Sequence, residues 1–192
     1  MEDKGEVYRV SGPVVTAEGI RPRMYDVVAV GRERLMGEVI GLDGDRSIIQ
    51  VYEDTSGIRP GEEVVNTALP LMAELGPGLV KSIYDGIQRP LPVLRESMGD
   101  FIKRGVSAPG LDRSKRWEFV PKVKTGEKVT GGQIIGSVQE TKYILHHILV
   151  PPRISGTIAT IQGGKFTVAE TVATLTDGTP LQLMQKWPVR IG

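Results

Sequence analysis

LMGEVIGLDGDRSIIQV, Leu35 to Val51, is the stretch on which the fold turns. Two apolar runs, Val39-Ile40 and Ile48-Ile49-Gln50-Val51, flank Asp43-Gly44-Asp45. Asp-Gly supports the positive φ that a tight hairpin requires, so Leu35 to Leu42 and Arg46 to Tyr52 are predicted to be paired strands. Working outward, β-rich runs stand at Glu6 to Val10, Val14 to Ala17, Tyr25 to Val30 and Glu63 to Val65. Gly31-Arg32-Glu33 and Arg59-Pro60-Gly61-Glu62 supply the turns between them, with Pro pre-setting φ and Gly permitting the reversal. Short strands at intervals of about ten residues predict a small β-barrel or sandwich.

The period changes after residue 70. Leu79, Ile83 and Ile87, with Val80 and Tyr84 beside them, share one helical face, and Leu94, Met98, Phe101 and Ile102 form a second stripe after Pro90 and Pro92. Two short helices are predicted, preceded by Gly76-Pro77-Gly78 and stopped by Lys103-Arg104-Gly105, where basic residues suit a helix C-terminus and Gly suits the next position. From 119 to 175 the pattern returns to strands with a faint repeat: Val120-Pro121 leads to Gly126 and Val150-Pro151 leads to Gly156. Two related hairpins facing each other are one reading, and chance recurrence in a Gly/Pro-rich chain is the other.

Composition removes whole classes of chemistry. With no Cys among 192 residues there are no disulfides, thiolate metal sites or cysteine nucleophiles, as in a reducing compartment. Aromatic content of 5% argues against a base- or sugar-stacking surface. No apolar run approaches the roughly 18 residues of a membrane helix, and the N-terminus lacks a signal-peptide pattern, so a soluble chain is expected. Gly163-Gly164-Lys165-Phe166 fails as a phosphate loop, because Phe166 stands where Ser or Thr must hold magnesium. It is read as a turn between strands. His146 and His147 are the only histidines, and neighbours in a strand point to opposite faces, so no metal site is predicted.

The net charge of +1 is uneven. Residues 1–100 carry 11 Lys/Arg against 17 Asp/Glu, residues 101–128 carry 8 against 3, and residues 129–192 carry 5 against 3. The basic block holds Lys103, Arg104, Arg113, Lys115, Arg116, Lys122, Lys124 and Lys128. It is either a solvated loop face or a docking surface for an acidic partner. Nucleic acid is not expected, since the patch is short and the chain nearly neutral.

GRERLMGEVIGLDGDRSIIQVYEDTSGIRPGEEV (Gly31 to Val64) and ELGPGLVKSIYDGIQRPL (Glu74 to Leu91) closely resemble the N-terminal part of the catalytic A subunit of archaeal- and vacuolar-type rotary ATPases. LDRSKRWEFVPKVKTGEKVTGGQIIG, ILVPPRISGTI and the closing QKWPVR continue the resemblance. It implies a mainly β chain: residues 1–69 a six-stranded barrel of the hexamer crown, 70–109 a helical linker opening the nucleotide-binding domain, 110–179 a barrel-sandwich-like bulge insertion, and 180–192 the return to that domain. The implied partners are the non-catalytic B subunit, other A subunits and the peripheral stalk, in a cytoplasmic complex peripheral to the membrane and without direct membrane insertion. ATP and Mg belong to the full-length subunit. The chain stops at Gly192 before a P-loop, so no catalytic, cofactor or metal residue is expected in it. VKTGEKVTGGQIIGSVQETK (Val123 to Lys142) also looks like half of a lipoyl or biotinyl carrier domain, with Lys142 as the modified residue. That is the alternative function, and it lacks the carrier's Asp beside the Lys.

Overall fold

The structure, a computed structural model, describes residues 3–99 and 104–190. The chain divides into two compact units. One takes in the described parts of Met1–Ala73, Val93–Ala108 and Pro188–Gly192; the other is Glu74–Pro92 with Pro109–Trp187.

In the first unit six antiparallel strands close into a barrel: β1 (Asp3–Ser11), β2 (Val14–Glu18), β3 (Asp26–Val30), β4 (Leu35–Asp43), β5 (Arg46–Val51) and β6 (Glu63–Pro70), in spatial order β1-β2-β5-β4-β3-β6. The β4–β5 hairpin closes on Asp43 opposite Arg46, with Gly44 at φ 61° in the turn between them. Inward positions alternate with outward ones, as β2 illustrates with Val15 and Ala17 buried between half-buried neighbours. The interior is filled by Val7, Val28, Val30, Leu35, Val39, Ile49, Val51 and Val64. Each such side chain contributes about 1.5–3 kcal/mol on burial. Small and β-branched residues suit so narrow an interior.

The second unit is built from two four-stranded sheets. One has the order β11-β10-β8-β13 and the other β15-β14-β12-β9. The strands are β8 (Trp117–Pro121), β9 (Lys128–Val129), β10 (Ile134–Gln139), β11 (Leu145–Leu149), β12 (Gly156–Ile161), β13 (Gly164–Phe166), β14 (Thr171–Leu175) and β15 (Pro180–Gln182). Phe119, Ile135, Val138 and Ile148 from the first sheet share one core with Val129, Ile158, Val172, Leu175 and Leu181 from the second. The two Val-Pro pairs mark where the chain leaves the first sheet for the second, after β8 and after β11. Each crossover leads to a Gly and then to a strand of the other sheet. β7 (Met72–Leu75) and β16 (Gln185–Pro188) pair with each other where the chain enters and leaves this unit.

The first predicted helix does not form. Residues 79–87 are turns closed by an isolated bridge between Tyr84 and Pro90, and Val80 and Ile83 are exposed. The cause is local: the Asp85 carboxylate accepts hydrogen bonds from the N–H groups of Ile87 and Arg89, giving the backbone an alternative to a helix too short to stand alone. The second stripe does form α1 (Leu91–Met98), with Leu94 buried; Phe101 and Ile102 lie outside the described residues.

Two segments at the edges of the second unit pack into it. Glu74–Pro92 belongs with the sandwich, tied by the Gln88 amide to both backbone groups of Glu74. Past Thr179, β15 pairs with β14, and Leu181 and Leu183 lie in the sandwich core.

Candidate functional site

The eight basic residues do not form one kind of surface. Arg104 is taken up within the first unit: its guanidinium donates to the Asp54 and Ser56 carbonyls and pairs with Glu33 at 3.0 Å. Arg113 pairs with the Glu74 carboxylate in the second unit, and Lys186 approaches the same carboxylate at 3.8 Å. Arg116 donates to the Lys165 carbonyl at 3.1 Å and pairs with Glu170 at 3.3 Å. Lys115 holds its ammonium 3.9 Å from the centre of the Trp117 ring, a cation–π contact. Lys103 lies outside the described residues.

Lys122, Lys124 and Lys128 are different. All three are exposed, and among the described residues none makes an ion pair or a ring contact. They lie on the β8–β9 connection and its exit. That connection is pinned by Lys122 N–H to the Ile135 carbonyl at 2.8 Å and Gly126 N–H to the Ile158 carbonyl at 2.8 Å. The Glu127 carboxylate accepts the Lys124 N–H at 3.0 Å.

Two buried carboxylates carry no signal in the sequence pattern. Glu38, on β4, faces Arg190 at 3.2 Å with its own side chain 5% exposed. Burial, together with the negative charge of the same carboxylate, holds the Tyr52 hydroxyl pKa above the ordinary tyrosine value. Glu140 follows β10 and accepts the N–H groups of Gly78 at 2.8 Å and Val80 at 3.2 Å, while its other oxygen meets His146 Nδ1 at 3.1 Å. It fastens the 78–80 backbone to the β10–β11 hairpin. Elsewhere in the second unit, the hydroxyl and N–H of Ser114 hold the Asp112 carboxyl below its ordinary range.

His146 and His147 occupy adjacent positions on β11, opposite Val138 and Ser137, and only His146 reaches Glu140. Among the described residues no three His, Cys, Asp or Glu side chains cluster as a metal site. Gly164-Lys165-Phe166 is not a turn: it pairs with Phe119, Glu118 and Trp117 as β13. Its backbone therefore belongs to a sheet and cannot cradle a phosphate chain, and the described residues do not fit ATP with its magnesium. Lys142 sits in the turn between β10 and β11 beside Tyr143, which is 87% exposed. One cleft on the barrel, of about 240 Å³, is lined by Arg32, Arg59, Arg104, Glu33 and Glu62. No helix among the described residues is long and apolar enough to cross a membrane.

Each unit is built mainly of strands, and the described residues bring no reaction centre together. Residues 7–68 match the model of the ATP synthase alpha/beta family β-barrel domain, and residues 108–190 match that of the ATP synthase alpha/beta subunit barrel-sandwich domain. The chain belongs to the ATP synthase alpha/beta family. Within that family it is similar to the N-terminal region of the A subunit of A-type ATP synthases. The protein of that kind from Methanosarcina barkeri is 64% identical over 190 residues, which is 99% of this chain and 33% of the relative. Those from Methanoculleus marisnigri and Methanothrix thermoacetophila are 61% and 58% identical, over 98% and 97% of this chain and 32% of each relative. The chain thus spans about a third of the length of the curated relatives it matches. These ATP synthase relatives lend no support to the carrier reading of Lys142.

Proposed function

We propose that this chain is the barrel and barrel-sandwich part of the catalytic subunit of an A/V-type rotary ATPase, where ATP synthesis or hydrolysis is coupled to proton or sodium transport. The observation that carries the reading is one continuous similarity, 64% identity over 99% of the chain, running through both units and the segment between them. In this reading residues 1–69 form one barrel of a crown in which A and B subunits alternate, and residues 70–109 lead toward the nucleotide-binding domain. Residues 110–179 form a bulge facing the peripheral stalk, and residues 180–192 return from it. Nucleotide and magnesium are held by parts of the subunit beyond these units, and the whole is a peripheral component of a membrane complex on its cytoplasmic side. Apolar side chains on the outer wall of the barrel support lateral packing, with Tyr8, Ile40 and Leu42 each more than a third exposed.

The test is to tag the protein in its own host and purify it under mild conditions. It is expected to bring down an ATP-hydrolysing assembly that contains a non-catalytic B subunit. Recovery without any other ATP synthase subunit would overturn the reading.

A further inference from the structure

We infer that the partner-facing charge of the basic block resides in Lys122, Lys124 and Lys128, and that they receive an acidic protein surface. This rests on the assembly proposed above and narrows it, because the arginines of the basic block are already used inside their own units. Arg104, Arg113 and Arg116 each hold a carboxylate, and Lys115 lies over Trp117. To serve a partner they would first have to release those contacts. Among the described residues the three lysines have no ion pair or ring contact to release.

The connection that carries them is also pre-shaped. Gly126 N–H to Ile158 O and Ile158 N–H to Glu127 O, at 2.8 and 2.9 Å, lash it to β12, and Lys122 N–H to Ile135 O ties it to the start of β10. Charges on a fixed loop lose little backbone entropy on docking. The acidic residue nearest in sequence, Glu127, is drawn toward the Lys124 N–H at 3.0 Å. Three exposed lysines stand against this one exposed carboxylate, so the loop carries net positive charge. A carboxylate-bearing protein surface fits better than nucleic acid, because the segment from Pro121 to Thr130 contains no aromatic side chain on which a base could stack. Contacts made by exposed ammonium groups are individually weak and screened by salt, so the surface suits a reversible contact.

The tagged assembly from the native host supplies the test. A carbodiimide joins a lysine amine to a carboxylate in direct contact, and mass spectrometry reads the joined peptides. Lys122, Lys124 or Lys128 is expected to be joined to Asp or Glu of another polypeptide at low salt and not at 0.5 M salt, where the screening length falls below about 5 Å. The K122Q/K124Q/K128Q variant is expected to hold that polypeptide about tenfold more weakly, the combined size of three exposed pairs. Because all three side chains are exposed, this variant folds as the parent does. Inter-subunit links confined to other lysines of an intact assembly would overturn the inference and leave the proposed function standing. Protection of the three lysines that disappears on nuclease treatment would overturn it in favour of nucleic acid. Failure to recover any ATP synthase subunit would overturn both.

Discussion

At the scale of single residues, the pairing with most at stake is Glu38 with Arg190. A carboxylate only 5% exposed is balanced by a guanidinium 3.2 Å away. Removing the guanidinium leaves the carboxylate buried without its counterion, while removing both charges relieves the problem. Arg190 is more than half exposed, so water compensates in part. Arg190→Ala is expected to weaken the barrel by about 1–3 kcal/mol, and the R190A/E38Q double variant is expected to recover most of that. Hydrogen exchange of the β4 amides measures both, and an R190A protein exchanging like the parent would refute the pairing. None of this was legible in the sequence. Glu38 lies in an alternating strand where Glu reads as outward and solvated, and nothing local ties it to a residue at the far end of the chain. Glu140 was passed over for the same reason, since its partners at Gly78 and Val80 are distant in sequence. The cations were legible as residues but not as roles, because charge counts cannot show that Arg113 and Arg116 are already paired.

At the scale of elements, turn chemistry explains what could be read. Gly44, Gly31 and Gly61 all lie where positive φ was required, and the six barrel strands fall between such turns with boundaries within a few residues. The segment from 79 to 87 misled because helical spacing was present without the length to nucleate a helix, and Asp85 captured the free N–H groups. Glycines separate two kinds of requirement. A Cβ on Gly44 meets nothing within 4 Å, so Gly44→Ala costs only the strained φ, about 1 kcal/mol. A Cβ on Gly136 would lie 2.2 Å from the Phe119 ring and 2.7 Å from the Val120 carbonyl. Gly136→Ala is therefore expected to cost about 3 kcal/mol or more, by forcing β10 away from β8. Amide exchange within each unit checks the order; equal losses at the two positions would contradict the close packing of Phe119 over β10.

At the scale of the whole molecule, the architecture was legible as two β-rich regions flanking a segment read as helical, because hairpin signals are local. Which segment packs on which core depends on contacts distant in sequence. Glu74–Pro92 packs with the sandwich, and Leu181 and Leu183 lie in the sandwich core. Function was legible only through resemblance. Neither unit brings a reaction centre together among the described residues, and the β13 strand shows how a Gly-Lys pair can serve a sheet instead of a phosphate. The central claim is that these two units belong to a catalytic rotary-ATPase subunit, and it is tested most directly by reading the gene past the codon for Gly192. The expected result is an open frame with Gly-x-x-x-x-Gly-Lys-Ser/Thr within a few tens of codons, the pattern whose backbone and lysine hold nucleotide phosphates. A stop codon directly after Gly192 would contradict that claim.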